Sequence, residues 1–107
     1  MKPRQVLREI EKVVMDTDDV VVGTDIGNIN AVANGYLHFK RNQSFLAPMT
    51  FGNCGYSLPT IMGAKVADPS RPCIAMAGDG AFGMSVNELM TCARENIPVT
   101  PVVFNNG

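Results

Sequence analysis

The sequence predicts an α/β fold, a doubly wound parallel sheet with flanking helices. Three observations carry this. Segments with apolar residues at helical spacing alternate with short apolar runs bounded by turn residues. The runs Val20-Val21-Val22-Gly23-Thr24 and Cys73-Ile74-Ala75-Met76-Ala77 are unbroken instead of alternating with polar residues, as strands buried on both faces are. Strand–helix–strand order closes through right-handed crossovers into a parallel sheet.

Taken in order, Arg4 to Met15 places Val6, Leu7, Ile10, Val13 and Val14 on one helical face. Asp16-Thr17-Asp18-Asp19 ends that helix, and the β-branched run after it is the first strand. Asp25-Ile26-Gly27-Asn28-Ile29-Asn30 leaves the strand and enters a second helix reaching Leu37, with Asn28 as a candidate N-cap. Lys40-Arg41-Asn42-Gln43 is a polar loop and Ser44-Phe45-Leu46-Ala47 a short strand. Phe51-Gly52-Asn53-Cys54-Gly55-Tyr56 is a glycine-bearing loop before a third helix, with Ser57 as its cap and Pro59 tolerated in its first turn. Leu58, Ile61, Met62 and Val66 form the side of this helix that packs on the sheet. Asp68-Pro69-Ser70-Arg71-Pro72 is a turn cluster before the central strand. The helix after Gly78-Asp79-Gly80 carries Val86, Leu89, Met90, Ala93 and Ile97 at helical spacing. Pro98 stops it, and Val99 to Phe104 returns as the last strand. No repeat or linker interrupts residues 1–107, which read as one partial domain, incomplete at the C-terminus because no helix closes over the last strand.

A chain of 107 residues supports one small domain with a modest core. Apolar content of 46 % beside 18 % charged residues places it among ordinary globular proteins. A net charge of −1 without a basic run argues against nucleic acid as a partner. No apolar stretch approaches the ~20 residues of a membrane span. The charged, helix-patterned N-terminus is not a signal peptide. Cys54, Cys73 and Cys92 are widely spaced and form no C-x-x-C pair, and His38 is the single histidine, so a zinc site is not expected. Reduced cysteines fit a cytoplasmic protein.

The chemistry concentrates at two strand ends, Gly78-Asp79-Gly80-Ala81 and Asn105-Asn106. In a parallel sheet both open on the same edge, where open α/β sheets bind ligands. That brings the Asp79 carboxylate together with the Asn106 amide oxygen. Hard oxygen donors of this kind suit Mg²⁺, with phosphate oxygens completing its shell. Gly78-Asp79-Gly80-Ala81-Phe82-Gly83 also fits the G-x-G-x-x-G dinucleotide fingerprint. A bare carboxylate between the first two glycines would repel a pyrophosphate, and the next strand ends in Asn105-Asn106 where a ribose-binding acid belongs. A metal-bridged diphosphate accounts for both departures.

Gly-Asp-Gly, twenty-four residues from Ala81 to Phe104, then Asn-Asn resembles the cofactor motif of the thiamine-diphosphate-dependent decarboxylase and acetolactate-synthase superfamily. The resemblance covers nearly the whole chain, in register with the diphosphate-binding domain. It implies that Asp79 and Asn106 ligate Mg²⁺ and that Gly78, Gly80 and Ala81 lie against the cofactor. The third protein ligand it implies is a backbone carbonyl one residue beyond Gly107. It further implies that Gly27 and Asn28 approach the diphosphate, and that Gly52, Asn53 and Cys54 touch the aminopyrimidine. Cys54 stands where the broader family carries a bulky Met.

Within the superfamily, Asp25-Ile26-Gly27-Asn28-Ile29-Asn30, Gly52-Asn53-Cys54-Gly55-Tyr56 and Gly78-Asp79-Gly80-Ala81-Phe82-Gly83-Met84-Ser85 most resemble the sulfoacetaldehyde acetyltransferase sub-family. This implies conversion of sulfoacetaldehyde and phosphate to acetyl phosphate and sulfite by an enzyme that is a homo-oligomer at full length. The activating glutamate of the family belongs to another domain, so no catalytic residue is assigned here. The alternatives are a thiamine enzyme acting on pyruvate and a non-catalytic module binding Mg-diphosphate ligands. Asn105 reads as structural, Cys73 and Cys92 as core residues, His38 and Glu88 as surface positions, and Met62, Met76, Met84 and Met90 as packing.

Overall fold

The computed structural model describes residues 2–106; Met1 and Gly107 lie outside them. The elements run α1 (Pro3–Asp16), β1 (Val21–Thr24), α2 (Asn28–Tyr36), β2 (Phe45–Leu46), α3 (Ser57–Ala67), β3 (Cys73–Gly78), α4 (Asp79–Gly83), α5 (Glu88–Glu95) and β4 (Thr100–Phe104). The strands form one sheet in the order β2-β1-β3-β4, and all its pairings are parallel. The chain leaves β1 for β2 on one side and returns through α3 to β3 on the other. The boundary between β1 and β3 is therefore the topological switch, where the strand ends part and a ligand crevice opens.

Alternation along the strands assigns the two faces. Val22 and Met76 meet Leu7, Ile10 and Val14 of α1 and Ile29 and Ala33 of α2. Val21, Cys73 and Ala75 meet Leu58, Ile61 and Met62 of α3 on the opposite face. α1 starts with Pro3 at its first position, and the Gln5 side chain accepts the Lys2 N–H at 2.9 Å. Gly23 is required by packing on the α3 face. A Cβ there would lie 2.6 Å from Ile61 Cγ1 and 3.5 Å from the Ser57 carbonyl oxygen. Ile61 is itself fully buried and has little room to retreat. Gly23→Ala is therefore expected to destabilise the fold by about 1–3 kcal/mol. Urea unfolding checks this, and a loss under about 0.5 kcal/mol would mean that Ile61 repacks freely.

Several expectations are corrected. α2 and α3 begin one residue earlier than read: Gly27 and Tyr56 hold the N-cap positions, and Asn28 and Ser57 are the first helical residues. The single helix expected after Gly78-Asp79-Gly80 is two. Between α4 and α5, Ser85, Glu88, Leu89 and Met90 each donate their N–H to a carbonyl three residues back, the tighter repeat of a 3₁₀ turn. That repeat shifts the helical phase. Leu89 and Cys92 pack on the sheet, while Met84, Val86, Met90 and Ala93 face outward. Met90 is 76 % exposed, so it and Met84 are not packing residues. Val66 and Val13 are also exposed, Val13 beside an open groove against Val20, Ile74 and Val102. α5 ends on Asn96 in the left-handed conformation (φ 52°), ahead of Pro98. His38 lies on the surface as read, with Nδ1 2.8 Å from Glu11 Oε1.

Among the described residues no helix is long and apolar enough to cross a membrane.

Candidate functional site

A cavity of about 460 Å³ opens at the carboxyl edge of the sheet, over the β1–β3 switch. Three strand ends build it. Ile26, Gly27 and Asn28 follow β1, Gly78, Asp79 and Ala81 follow β3, and Phe104, Asn105 and Asn106 close β4. Cys54 reaches it from the loop before α3, and Pro3 and Val6 of α1 roof one side. Of the residues read from the sequence, Gly27, Asn28, Cys54, Gly78, Asp79, Ala81 and Asn106 line this one cavity. Gly80 lies between two lining residues, and Gly52 and Asn53 stand just outside the lining, in the loop that carries Cys54.

The local geometry of each wall has a physical cause. Gly27 has φ 114° and ψ −165°, a conformation open to glycine and strained for any side chain. It turns β1 into α2 so that the start of α2 faces the cavity, where the first amides of a helix have no acceptor within it. At Gly78 φ is −72°, ordinary for any residue, and a Cβ would meet no protein atom within 4 Å. Neither conformation nor packing calls for glycine there; what its bare backbone provides is room on the cavity wall. Gly83, the third glycine of the apparent dinucleotide fingerprint, likewise has no neighbour within 4 Å of a Cβ. In dinucleotide folds that glycine serves close helix–strand packing, so the fingerprint is not in use here.

The electrostatics are simple. Among the described residues lining the cavity, Asp79 is the only charged one; no Lys, Arg or His joins it. Its carboxylate has no hydrogen bond or ion pair with the described residues, and it is exposed at the first position of α4. No group of three His, Cys, Asp or Glu converges anywhere among the described residues. A cation here would therefore draw its remaining donors from amide oxygens, the ligand and water.

All three cysteines are free thiols. Cys54 is exposed, whereas burial pushes the thiol of Cys73 up, and that of Cys92 up with Glu88 adding to it.

Two buried polar side chains next to the site escaped sequence reading. Asp25, fully buried at the end of β1, accepts the backbone N–H of Tyr56 at 2.8 Å and of Ser57 at 3.1 Å. Asn30 of α2 donates to Thr24 Oγ1 at 2.9 Å and accepts from Asn34 at 3.0 Å. The available signal was a lone acid directly after an unbroken apolar strand, where a charge is tolerated only with dedicated partners.

Residues 25–107 match the family described as thiamine pyrophosphate enzyme, C-terminal TPP binding domain. Over 106 residues, 99 % of the chain, it is 62 % identical to sulfoacetaldehyde acetyltransferase of Castellaniella defragrans and 64 % identical to that of Alcaligenes xylosoxydans xylosoxydans. It spans 17 % of the length of each of these curated relatives. The structure of a thiamine diphosphate-dependent 4-hydroxybenzoylformate decarboxylase from Rhodococcus jostii superposes on the whole chain with a TM-score of 0.88 at 25 % identity, using 20 % of that chain. The parallel sheet, its cavity at the switch point and these matches agree: the chain belongs to the thiamine-diphosphate enzymes and contains their C-terminal cofactor-binding domain sequence, whose cofactors are thiamine diphosphate and Mg²⁺.

Proposed function

We propose that this chain forms the Mg-diphosphate wall of a larger thiamine-diphosphate-dependent acetyltransferase, one that converts sulfoacetaldehyde and phosphate to acetyl phosphate and sulfite. The observation that carries the cofactor part is the charge pattern of the cavity. A diphosphate entering it meets one carboxylate, Asp79, and no cationic side chain from the described residues. A divalent cation between the two would make that encounter favourable. The donor set fits Mg²⁺: the Asp79 carboxylate and the Asn106 amide oxygen, which line the same cavity, would hold it, with backbone and water supplying the rest. Gly78 and Ala81 leave space for the ligand, and the start of α2 at Asn28 turns amide dipoles toward its negative charge. Gly52, Asn53 and Cys54 form the side toward the organic ring.

When bound, the cofactor supplies the carbon nucleophile and electron sink of the acyl transfer. The chain's own residues bind and orient it. The substrate assignment rests on the identity with the two bacterial acetyltransferases. The chain's length relative to theirs supports reading residues 1–107 as part of such an enzyme, working as a homo-oligomer with its activating glutamate supplied from elsewhere. The three free thiols are in keeping with a cytoplasmic setting.

The test is sulfite release from sulfoacetaldehyde by the full-length gene product. Release that requires phosphate, thiamine diphosphate and Mg²⁺ together, with acetyl phosphate formed, supports the proposal. Carbon dioxide from pyruvate without sulfite would keep the cofactor site and discard the substrate. Mg-dependent cofactor binding with neither product would favour a non-catalytic module.

A further inference from the structure

We infer that Asp25 is a positioning residue for this cavity: by holding the amides of Tyr56 and Ser57, its carboxylate fixes the loop that presents Cys54 to the cofactor. The inference rests on the cofactor reading above and goes beyond it, because Asp25 does not line the cavity.

A fully buried carboxylate is costly unless its oxygens are satisfied. At Asp25 the two oxygens divide the task, Oδ1 accepting from Tyr56 and Oδ2 from Ser57. No ion pair involves Asp25 among the described residues, so the balancing charge is the positive end of α3. In effect Asp25 caps α3 from 31 residues away. The N-cap residue Tyr56 makes no side-chain cap of its own, and the buried Ser57 hydroxyl has no hydrogen-bond partner among the described residues. A local Ser or Asp cap would start α3 as well. What the distant carboxylate adds is a tie between the loop and the end of β1.

The loop needs that tie. It turns at Gly52 (φ 71°) and Gly55 (φ 77°), and Phe51 at its start is 89 % exposed. Cys54 sits between the two glycines and lines the cavity together with Ile26, Gly27 and Asn28, the residues that directly follow Asp25. The Asp25 N–H also donates to the Met76 carbonyl of β3 at 2.9 Å. One residue thus stands where the β1 turn, the Cys54 loop and β3 meet. If the carboxylate shifts, Cys54 moves relative to Asn28 while the sheet stays in place.

The test uses the full-length gene product. Wild type and Asp25→Asn are titrated calorimetrically with thiamine diphosphate and Mg²⁺. Alkylation of Cys54 by iodoacetamide is followed by peptide mass spectrometry with and without the cofactor pair. Asp25→Asn keeps one acceptor oxygen in the same volume, and its NH₂ opposes the other backbone N–H. Positioning predicts affinity about 10- to 100-fold weaker, the usual cost of losing a partner that orients a site, and loss of the cofactor's protection of Cys54. A merely structural role predicts a lower Tm with wild-type Kd and wild-type protection below it, and that result overturns the inference. If Asp25→Asn does not fold, Asp25→Glu, which keeps the charge and displaces it by a methylene, is read by the same measurements, and wild-type values again overturn it. Wild type that binds the pair yet leaves Cys54 unprotected overturns the inference alone. Wild type that binds nothing removes the cofactor reading and the inference with it.

Discussion

Asp79→Ala is expected to lower the affinity for thiamine diphosphate in the presence of Mg²⁺ by more than about 100-fold, beyond the range seen when only an outer partner of a metal ligand is lost. Asp79 is the one charged side chain among the described residues lining the cavity, so none of them replaces it. If Asp79 holds Mg²⁺ as proposed, its removal would leave the cation only neutral donors from this chain. The same substitution should leave the unliganded fold within about 0.5 kcal/mol of wild type. Asp79 is exposed and makes no hydrogen bond with the described residues, so its removal strands no partner. Calorimetry with and without Mg²⁺, beside urea unfolding of the apoprotein, separates the two quantities. Affinity within tenfold of wild type would show that the cation is held elsewhere.

The parts of this fold that could be read from the sequence are those with a local cause. An unbroken β-branched run such as Val20 to Val22 has one stable environment, a strand covered on both faces; all three are buried, and Val21 and Val22 open β1. Two such runs and the helices between them fix which strand ends share an edge. With the last strand they put Asp79 and Asn106 on one edge, and both line the cavity there, together with Gly27 and Asn28, which only the family resemblance points to. The failures have non-local causes. Ser57 has the right chemistry for a cap, but the acceptor comes from Asp25, a contact that no window of neighbouring residues contains. Met90 and Ala93 fit the period of a single helix, yet a four-residue turn at 84–87 shifts the phase and brings Cys92 inward instead. Val13 lies on the apolar side of α1 but borders an open groove of about 480 Å³ against Val20, Ile74 and Val102. Periodicity says which side of a helix is apolar; it does not say how far the opposing sheet extends.

The opposite edge of the sheet carries the largest expected effect on stability. Arg71→Ala is expected to cost about 3 kcal/mol, the low end of the range for breaking a buried ion pair, because both partners keep some contact with water. The Arg71 guanidinium lies 2.6 Å from Asp19 Oδ1, and the two side chains are only 16 % and 21 % exposed. Its Nε also donates to the Asp19 carbonyl oxygen at 3.1 Å, and a terminal nitrogen to Ser44 Oγ at 3.1 Å. Asp19 precedes β1, Ser44 precedes β2 and Arg71 precedes β3, so one planar fork ties the starts of three neighbouring strands. Removing it leaves Asp19 with Arg41, which is more exposed, and leaves the buried Ser44 hydroxyl without this donor. In sequence these residues lie in separate charged turns, Asp19 and Arg71 being 52 positions apart, and each turn reads as a solvated loop. Arg71→Lys should recover part of the loss, since a single ammonium keeps the charge beside Asp19 but cannot also reach both the Asp19 carbonyl and Ser44 Oγ. Cofactor affinity should remain at the wild-type value in both variants, because the cavity lies at the other ends of the same strands. Urea unfolding that shows a loss under about 1 kcal/mol for Arg71→Ala would class this fork with ordinary surface pairs. Weakened cofactor binding at unchanged stability would instead mean that the two edges of the sheet are coupled.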